Sequence, residues 1–329
     1  MPPNAVLEVK DLSIRFREQS IDLIDSVSFR IERGQTLCLV GESGCGKSVT
    51  SLAVMGLLPK SSATVTQGSI RFNGRNMLGL PESEVEDLRG NRMAMIFQEP
   101  MTSLNPVFTV GHQVAEAVRR HTNCSKVEAR ERALAMFRKV RMPAAEKRLD
   151  DYPHQMSGGM RQRVMIAMAL ANDPALLIAD EPTTALDVTI QAQIMDLMRE
   201  LQDETGAALL MITHDLGVVA EIADQVAVMY AGRIVESGPV AQIFDEPQHP
   251  YTLGLMGSMP AISGRQGRLL TIPGAVPAPD AMPAGCRFAS RCPFVINDCH
   301  GARPDLRTAN NGQYVACLRA PLDNLVAAE

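Results

Sequence analysis

The sequence predicts an α/β fold built on a parallel sheet, and three stretches carry this prediction. Residues 41–48 (GESGCGKS) fit the pattern Gly-x-x-x-x-Gly-Lys-Ser/Thr and lie between a short apolar run, 36–40, and a stretch of helical character, 49–58. A strand, a glycine-rich loop and a helix in this order form a phosphate-binding loop. Two further runs, 175–179 and 207–212, are apolar throughout, which is typical of strands buried on both faces of a parallel sheet.

The loop at residues 41–48 has the chemistry that a triphosphate requires. Its glycines let successive backbone N–H groups converge on an anion, and the N-terminus of the following helix adds partial positive charge. Lys47 would reach the β- and γ-phosphates, and the Ser48 hydroxyl would bind Mg²⁺. An ordinary glycine turn is the alternative, but from average composition this pattern arises by chance in roughly one chain in a hundred.

Length, charge and hydropathy exclude several classes of protein. At 329 residues the chain can form one large domain or two, and its net charge of −5 disfavours a broad basic face for nucleic acid. No apolar run approaches the length of about 18 residues that spans a bilayer. The opening residues, MPPN, lead directly into the strand-like segment 6–9, which leaves no room for a secretory signal. The chain is therefore expected to be soluble and cytoplasmic, which argues against structural disulfides.

The N-terminal third has the alternation of β-strands. Residues 5–36 form a predicted β region, with period-two patterns at 12–16 and 27–31, and the further predicted strands are 68–73 and 93–97. Phe16 is the aromatic residue in a position to stack on a nucleotide base. A half-buried strand aromatic is the alternative interpretation.

From about residue 99 to residue 171 the sequence has helical character. Within it, Ser157 is a good N-cap for a helix, and Gly158 and Gly159 would let an anion approach the start of that helix. Taken alone, this Ser-Gly-Gly sequence is better explained as a plain helix cap.

Polar residues follow both buried strands. Asp180 and Glu181 end the run 175–179, and His214 follows the run 207–212. Ligands of open α/β sheets bind outside the carboxyl ends of the strands, so these side chains are expected beside the phosphate loop. One acid could face a metal and the next an attacking water, with a solvated acidic turn as the alternative. His214 could bond a γ-phosphate, or be purely structural.

The later elements complete the predicted fold. Residues 190–201 form a long amphipathic helix, and two strands at 224–230 and 232–236 are joined by a hairpin turn at Ala231-Gly232.

Taken in order, these motifs resemble those of the ATP-binding subunits of ABC transporters, and specifically of the dipeptide/oligopeptide importer group. The matching segments are the phosphate loop 41–48, the Q-loop 97–100 (FQEP), the signature 156–160 (MSGGM), Walker B 177–181 (LIADE), the D-loop 185–187 (ALD) and the H-loop residue His214. The peptide-importer character comes from residues 98–106 (QEPMTSLNP), residues 249–252 (HPYT) and the cysteine-containing tail. The sequence departs from the family at Met156 and Met160, where many relatives have Leu and Gln, and at Phe16, where Tyr is common.

The resemblance implies a fold and a domain division. It implies an ABC-type P-loop ATPase with a RecA-like core, an antiparallel β subdomain and a helical subdomain at about 99–171. The nucleotide-binding domain would comprise residues 1–255, and residues 256–329 would form a C-terminal extension.

The resemblance also assigns roles to individual residues. Glu181 would be the general base, with Gln98 and His214 positioning the water and the γ-phosphate. Ser48, Gln98 and Asp180 would bind Mg²⁺, and Ser157, Gly158 and Gly159 would face the nucleotide on a second subunit. The full set implied to bind ATP is Phe16, Gly41, Ser43, Gly44, Cys45, Gly46, Lys47, Ser48, Val49, Gln98, Asp180, Ser157, Gly158, Gly159 and Asp187.

The implied function is ATP hydrolysis that powers import of di- and oligopeptides. The implied partners are a second ATPase subunit, two permease subunits and an extracytoplasmic substrate-binding protein, with no nucleic acid and a peripheral place on the cytoplasmic face of the membrane. A nickel or glutathione importer is a close alternative. A soluble ABC ATPase of DNA repair or translation, and a regulatory module without turnover, are alternatives of other classes.

The tail has a separate signal. After a Pro/Gly-rich passage at 272–283, Cys286, Cys292, Cys299 and Cys317 follow with the spacing C-x5-C-x6-C-x17-C. These thiols could be unrelated, or they could bind zinc, although zinc sites usually contain a tight C-x2–4-C pair. Four thiolates also suit a [4Fe–4S] cluster, which tolerates wider spacing. The resemblance to peptide-importer ATPases favours the cluster over zinc.

Overall fold

The computed structural model describes residues 5–99, 103–184, 187–258, 272–309 and 312–322. The predicted motif residues Pro100, Met101, Thr102, Ala185 and Leu186 lie outside these described residues. The chain divides into two compact units, each described by itself. The first unit consists of Met1–Val6, Glu32–Gln35 and Gly79–Met211, and the second of Leu7–Ile31, Thr36–Leu78 and Ile212–Glu329.

The strands and helices of the described residues are as follows, in chain order. The strands are β1 (Ala5–Phe16), β2 (Ile24–Glu32), β3 (Thr36–Val40), β4 (Ala63–Phe72), β5 (Arg75–Asn76), β6 (Met93–Ile96), β7 (Leu176–Asp180), β8 (Ala208–Thr213), β9 (Gln225–Tyr230), β10 (Arg233–Pro239), β11 (Arg307–Thr308) and β12 (Tyr314–Val315). The helices are α1 (Lys47–Val54), α2 (Glu82–Leu88), α3 (Val110–His121), α4 (Lys126–Lys139), α5 (Ala145–Arg148), α6 (Gly158–Leu170), α7 (Val188–Thr205), α8 (Leu216–Ile222), α9 (Val240–Asp245), α10 (Pro250–Gly257) and α11 (Asp298–Gly301).

An antiparallel sheet in the order β2-β1-β4-β5 occupies the N-terminal part of the second unit. The antiparallel pairing of β1 with β4 contains an irregularity between Lys10 and Ser13. Gly68 lies opposite this bulge at φ +94°, and a Cβ there would meet the Asp11 carbonyl oxygen at 2.5 Å. Only glycine fits such a position. The predicted β region is confirmed.

The second unit also contains the strand order β11-β12-β10-β9-β3. Strand β3 runs parallel to β9, and all five of its residues are buried, as the apolar run predicted. The predicted hairpin between β9 and β10 is confirmed. Its two turn residues, Ala231 and Gly232, both have positive φ, 45° and 81°, which is the geometry of the two-residue turns that suit the twist of a hairpin.

The first unit contains the predicted buried strands of the middle of the chain. Strands β8, β7 and β6 are adjacent in that order, with β6 parallel to β7; the last two residues of β8 fall in the second unit. Every residue of β7 and β8 is buried. The apolar runs 175–179 and 207–212 are therefore strands, each beginning one residue later than predicted.

The predicted helical stretch from residue 99 to residue 171 contains α3 to α6. Helices α3, α4 and α6 pack against one another. The apolar stripe of Ala133, Phe137 and Val140 is completely buried there, which explains why these residues recur at helical spacing among charged neighbours.

The helix after the phosphate loop is shorter than predicted. It was expected over 49–58, but α1 begins at Lys47 and ends at Val54. Gly56 follows with φ +66°; its N–H donates to the Ala53 carbonyl at 3.0 Å, and that of Leu57 donates to the Leu52 carbonyl at 2.8 Å. This pair of bonds around a left-handed glycine terminates a helix, so the apolar residues at 57 and 58 lie beyond it.

No helix in the described part of the chain is long and apolar enough to cross a membrane. The proposed division into residues 1–255 and 256–329 stays a prediction.

Candidate functional site

The phosphate loop of the second unit lies between β3 and α1, and its outer glycines are required by close contacts. Gly41 has φ +153°, and a Cβ there would lie 2.2 Å from the carbonyl oxygen of Met229. Gly46 has φ +110°, and its Cβ would lie 2.4 Å from Cδ1 of Ile24. Both positions combine a backbone that favours glycine with a lack of space. The tight loop that sequence patterning predicted is therefore enforced by packing.

Lys47 is the first residue of α1, and its ammonium group turns back over the loop. The side chain is only 6% exposed. Its Nζ donates to the carbonyl oxygens of Gly41 at 2.7 Å and Glu42 at 3.1 Å. The residue before it, Gly46, has no side chain to cap the helix, so the first N–H groups of α1 are left for other acceptors. A buried cation and a helix N-terminus are together what an anion binds.

The remaining predicted loop residues differ in exposure. Ser43 and Gly44 are exposed, and Ser48 and Val49 are half-buried. Cys45 is buried, and burial raises the pKa of its thiol. Its carbonyl oxygen accepts a hydrogen bond from the N–H of Gly232 at 2.8 Å. Cys45 thus contributes backbone rather than a reactive thiolate to the loop.

Phe16, the predicted base-stacking residue, is the last residue of β1. It is half-buried and pairs with Ala63 of β4. This is the half-buried strand position of the alternative interpretation, and its stacking role stays a prediction.

In the first unit, the structure brings together two predicted residues that are 83 positions apart. Nε2 of Gln98 donates to Oε2 of Glu181 at 3.0 Å, and the Thr184 hydroxyl donates to the same oxygen at 2.9 Å. Glu181 has φ +46°, a left-handed conformation that costs a non-glycine residue about 1–2 kcal/mol. Such strain persists where the surroundings hold the residue in place. Asp180, immediately before it, is the buried last residue of β7.

His214 follows β8 directly, as predicted, and is exposed. The next residue, Asp215, holds the backbone in place by capping a helix. Oδ1 of Asp215 accepts from the N–H groups of Gly217 at 2.9 Å and Val218 at 3.3 Å and so caps α8. The contact of His214 with a γ-phosphate stays a prediction.

The predicted signature residues lie at the start of α6. The Ser157 side chain accepts from the N–H of Met160 at 3.3 Å, which makes Ser157 the N-cap. Gly159 has no room for a larger side chain, since a Cβ would lie 2.9 Å from Cγ2 of Ile190. Asp187 caps α7 in the same way, accepting from the N–H of Ile190 at 2.9 Å. Within one chain Ser157 and Asp187 serve as helix caps, and any role of these residues toward a second subunit stays a prediction.

The four tail cysteines, Cys286, Cys292, Cys299 and Cys317, line one cavity in the second unit. All four are free thiols, and Cys299 and Cys317 are buried. Burial raises the pKa of Cys286 and of Cys317, and it raises that of Cys292 to about 11, with neighbouring thiols adding to each shift. Among the described residues, no group of three or more His, Cys, Asp or Glu side chains is arranged to hold a metal ion.

Sequence reasoning missed three contacts beside these sites. Thr184 holds Glu181, while Tyr251 and Arg291 contact Glu42 of the phosphate loop. Tyr251 was singled out by resemblance alone. Arg291 precedes Cys292, so its position in the cysteine segment could have drawn attention to it. No sequence pattern, however, identifies the partner of a single arginine in a tail.

Two family models match the chain. The model for ABC transporters matches residues 24–184, and the model for the oligopeptide/dipeptide transporter C-terminal region matches residues 235–299. The first match contains the phosphate loop, Gln98 and Glu181. The second contains Tyr251, Arg291 and three of the four tail cysteines.

Relatives are similar over nearly the whole chain. A probable peptide ABC transporter ATP-binding protein, y4tR of Sinorhizobium fredii, is 55% identical over 96% of this chain and 95% of its own. The oligopeptide transport ATP-binding protein AppD of Bacillus subtilis is 50% identical over 95% of this chain and 96% of its own.

Solved structures are similar in fold. The ATP-binding cassette MJ0796 bound to ADP and Pi matches with a TM-score of 0.63 at 28% identity, over 71% of this chain and 98% of its own. CbiO1 of Clostridium perfringens, part of an ABC transporter complex, matches with a TM-score of 0.64 at 26% identity. The match covers 74% of this chain and 92% of the CbiO1 chain. The predicted ABC-type P-loop ATPase fold is confirmed. From its phosphate loop through its tail, this chain belongs to the family of ATP-binding subunits of oligopeptide/dipeptide ABC transporters.

Proposed function

We propose that this chain hydrolyses ATP to power import of di- and oligopeptides across the cytoplasmic membrane. The observation that carries the proposal is identity of 50–55% to two bacterial proteins named for peptide transport, over at least 95% of each chain. The match to the oligopeptide/dipeptide C-terminal region supports it, because this region distinguishes the chain from a bare ATP-binding cassette.

In this proposal the second unit supplies the phosphate-binding groups. Lys47 and the N–H groups of the loop bind the phosphates, and Phe16 stacks on the base. The buried position of the ammonium group and the uncapped start of α1 support the phosphate assignment. Mg²⁺ would be bound by Ser48 with Asp180 and Gln98, residues whose hydroxyl, carboxylate and amide oxygens are its preferred ligands.

Glu181 is the proposed general base. A carboxylate must be held in one orientation to polarise a water, since phosphoryl transfer depends mostly on positioning. The hydrogen bonds from Gln98 and Thr184 to one carboxylate oxygen support this role, because they hold the group in one orientation. His214 would complete the set by contacting the γ-phosphate.

The chain would act with partners on the cytoplasmic face of the membrane. We propose a second ATPase subunit, whose nucleotide would be contacted by Ser157, Gly158, Gly159 and Asp187 at the starts of α6 and α7. Two permease subunits and an extracytoplasmic substrate-binding protein would complete the transporter. ATP would hold the closed pair, and loss of the γ-phosphate would release it.

For the C-terminal extension, residues 256–329, we propose a [4Fe–4S] cluster held by the four tail cysteines, with zinc as the alternative. The type and number of the donors support the cluster, because four free thiols line one cavity and a [4Fe–4S] cluster takes four thiolates. Because the described side chains are not arranged to hold a metal ion, binding would require these thiols to move closer together. A bound cluster would supply redox-active iron there. Binding either metal would require release of the thiol protons that burial now favours.

The test of the function is purification of the chain from membranes in detergent, followed by mass identification of its companions and by peptide uptake in cells that lack it. Co-purification with two permeases and a peptide-binding protein, and loss of uptake, are expected. Uptake of nickel or glutathione instead would reassign the cargo. Recovery as a lone protein, or with ribosomes or DNA, would contradict the importer.

The test of the metal is anaerobic purification with elemental analysis and a visible spectrum. About four iron and four sulfide per chain with broad absorption near 400 nm are expected for the cluster. One zinc and no visible absorption would select zinc, and a metal-free chain would reject both.

A further inference from the structure

The phosphate loop contains an acid, Glu42, whose charge is compensated by the C-terminal tail. Nη1 of Arg291 donates to one carboxylate oxygen at 2.8 Å and Nη2 donates to the other at 3.0 Å. The two residues are 249 positions apart and belong to the same compact unit. The bidentate geometry is the strongest form of an arginine–carboxylate pair.

Glu42 is held by its backbone as well. Its N–H donates to the hydroxyl of Tyr251 at 2.8 Å, and its carbonyl oxygen accepts from Nζ of Lys47 at 3.1 Å. The backbone of Glu42 is therefore bonded to Tyr251 of α10 and to Lys47, and its side chain is bonded to Arg291 of the tail.

Arg291 is itself held in place. Its Nε donates to the carbonyl oxygen of Pro273 at 2.9 Å, its Nη2 donates to that of Ile272 at 3.3 Å, and its Nη1 donates to the hydroxyl of Tyr230 at 3.4 Å. The side chain is only 5% exposed. The hydrogen bonds to Glu42 raise the pKa of Arg291, which is therefore always charged. A guanidinium held by this many hydrogen bonds fixes the orientation of the carboxylate that it binds.

The position of Arg291 in the tail is also built by packing. It ends a short 3₁₀ turn, Ala289–Arg291, whose preceding residue Phe288 packs its ring 5.1 Å from that of Tyr230 and 5.4 Å from that of Tyr251. Cys292, which lines the cysteine cavity, comes next in the chain. The turn that supports this cavity is thus the same turn that presents the guanidinium to the phosphate loop.

An acid in a loop that binds a triphosphate needs a compensating charge. An unpaired carboxylate at this place would repel the phosphates. It would also attract other cations such as Lys47, which would change the conformation of the loop. We propose that Arg291 is a positioning residue for nucleotide binding, which neutralises and orients Glu42 so that the phosphate loop accepts a triphosphate. The inference rests on the nucleotide-binding role of the loop and extends that role to the tail.

The test uses the full chain with Arg291→Ala, Glu42→Gln and the double variant. ATP affinity would be measured by titration with a fluorescent ATP analogue, and kcat and KM by steady-state hydrolysis. Arg291→Ala is expected to weaken ATP binding about tenfold and to raise KM while kcat changes less. Glu42→Gln alone should have a small effect. The double variant should regain most of the affinity, because removing the carboxylate also removes the repulsion that Arg291 compensates.

Arg307→Ala is the matched control. Arg307 also lies in the tail and donates to the carbonyl oxygen of Cys317 at 2.9 Å, so its loss perturbs the cysteine segment without a described contact to the loop. An equal loss of ATP affinity in this variant would overturn the inference, as would additive effects of Arg291→Ala and Glu42→Gln.

If Arg291→Ala does not fold, Arg291→Lys replaces it in the same set of variants. Lysine keeps the charge but loses the second hydrogen bond, so a smaller loss that Glu42→Gln again relieves is expected. Unchanged affinity in Arg291→Lys together with a strong loss in Glu42→Gln would contradict the inference. Failure of the wild-type chain to bind ATP would instead contradict the proposed function.

Discussion

The side-chain amide of Gln98 donates a hydrogen bond of 3.0 Å to the carboxylate of Glu181. Gln98 follows β6 and Glu181 follows β7, and these two strands are parallel neighbours. Because parallel strands place their carboxyl ends at the same edge of a sheet, the residues after them meet. This contact orients the carboxylate of the proposed general base.

Replacement of Glu181 by glutamine should separate ATP binding from hydrolysis. The amide keeps the shape of the side chain but cannot accept a proton, so kcat is expected to fall about a hundredfold or more while ATP affinity is kept. Steady-state hydrolysis and nucleotide titration would measure the two effects. Glu200→Gln is the control, since Glu200 is an exposed partner of Arg141 in the same unit. Undiminished hydrolysis in Glu181→Gln would remove Glu181 from the role of base.

Replacement of Lys47 by alanine should abolish most ATP binding. The charge-assisted hydrogen bonds of an ammonium to phosphate are worth about 1.5–3 kcal/mol, which corresponds to a loss of about tenfold to a hundredfold in affinity. Lys139→Ala, which removes an ion pair with Glu204, should leave ATP affinity unchanged. Equal affinities in the two variants would show that the loop does not bind phosphate through Lys47.

Replacement of Gly41 by alanine should destabilise the chain as well as impair nucleotide binding. The new Cβ would lie 2.2 Å from the Met229 carbonyl oxygen, so a loss of about 2–4 kcal/mol in the free energy of unfolding is expected from overlap and backbone strain. Urea denaturation would measure it. Gly79→Ala is the control, because a Cβ there meets nothing within 4 Å. If Gly41→Ala lowers the free energy of unfolding no more than the control does, β9 can move away from the loop to make room for the new side chain.

Glu236 should make stability depend on pH. It is completely buried, and burial raises the pKa of its carboxyl to about 7, although it accepts hydrogen bonds from the N–H groups of Gln248 at 2.6 Å and His249 at 3.0 Å. Since the folded pKa exceeds the unfolded one, the folded chain holds the extra proton. The stability that this proton contributes is complete below about pH 4.5 and is lost as the pH rises through 7.

Glu236→Gln isolates this effect from the other titrating groups, including buried His249, whose pKa burial lowers to about 3. His249 acts in the opposite direction, since its neutral form gains stability as the pH rises through its unfolded value. The free energy of unfolding of the wild type relative to Glu236→Gln should therefore decrease by on the order of 2 kcal/mol between pH 5 and pH 8. A difference that does not change with pH would show that Glu236 titrates normally.

Much of the fold could be predicted from the sequence because its signals are local. The apolar run of β7, the alternation of β1 and the stripe of α4 each reflect the periodicity of one element. The prediction failed where one local signal was given too little weight. The helix predicted at 49–58 extends beyond Val54, where α1 ends, although Gly56 is a strong helix terminator. The motif residues were found because phosphate chemistry needs a fixed spacing within one loop.

The sequence by itself determined the phosphate loop, the buried strands and the acids that end β7, because each is encoded by neighbouring residues. Only the tertiary structure decided which side chain orients Glu181 and which cation forms an ion pair with Glu42. Gln98 lies 83 positions from its partner and Arg291 lies 249 positions from its own. Pairings at such separations depend on how whole elements pack, and no local periodicity records them.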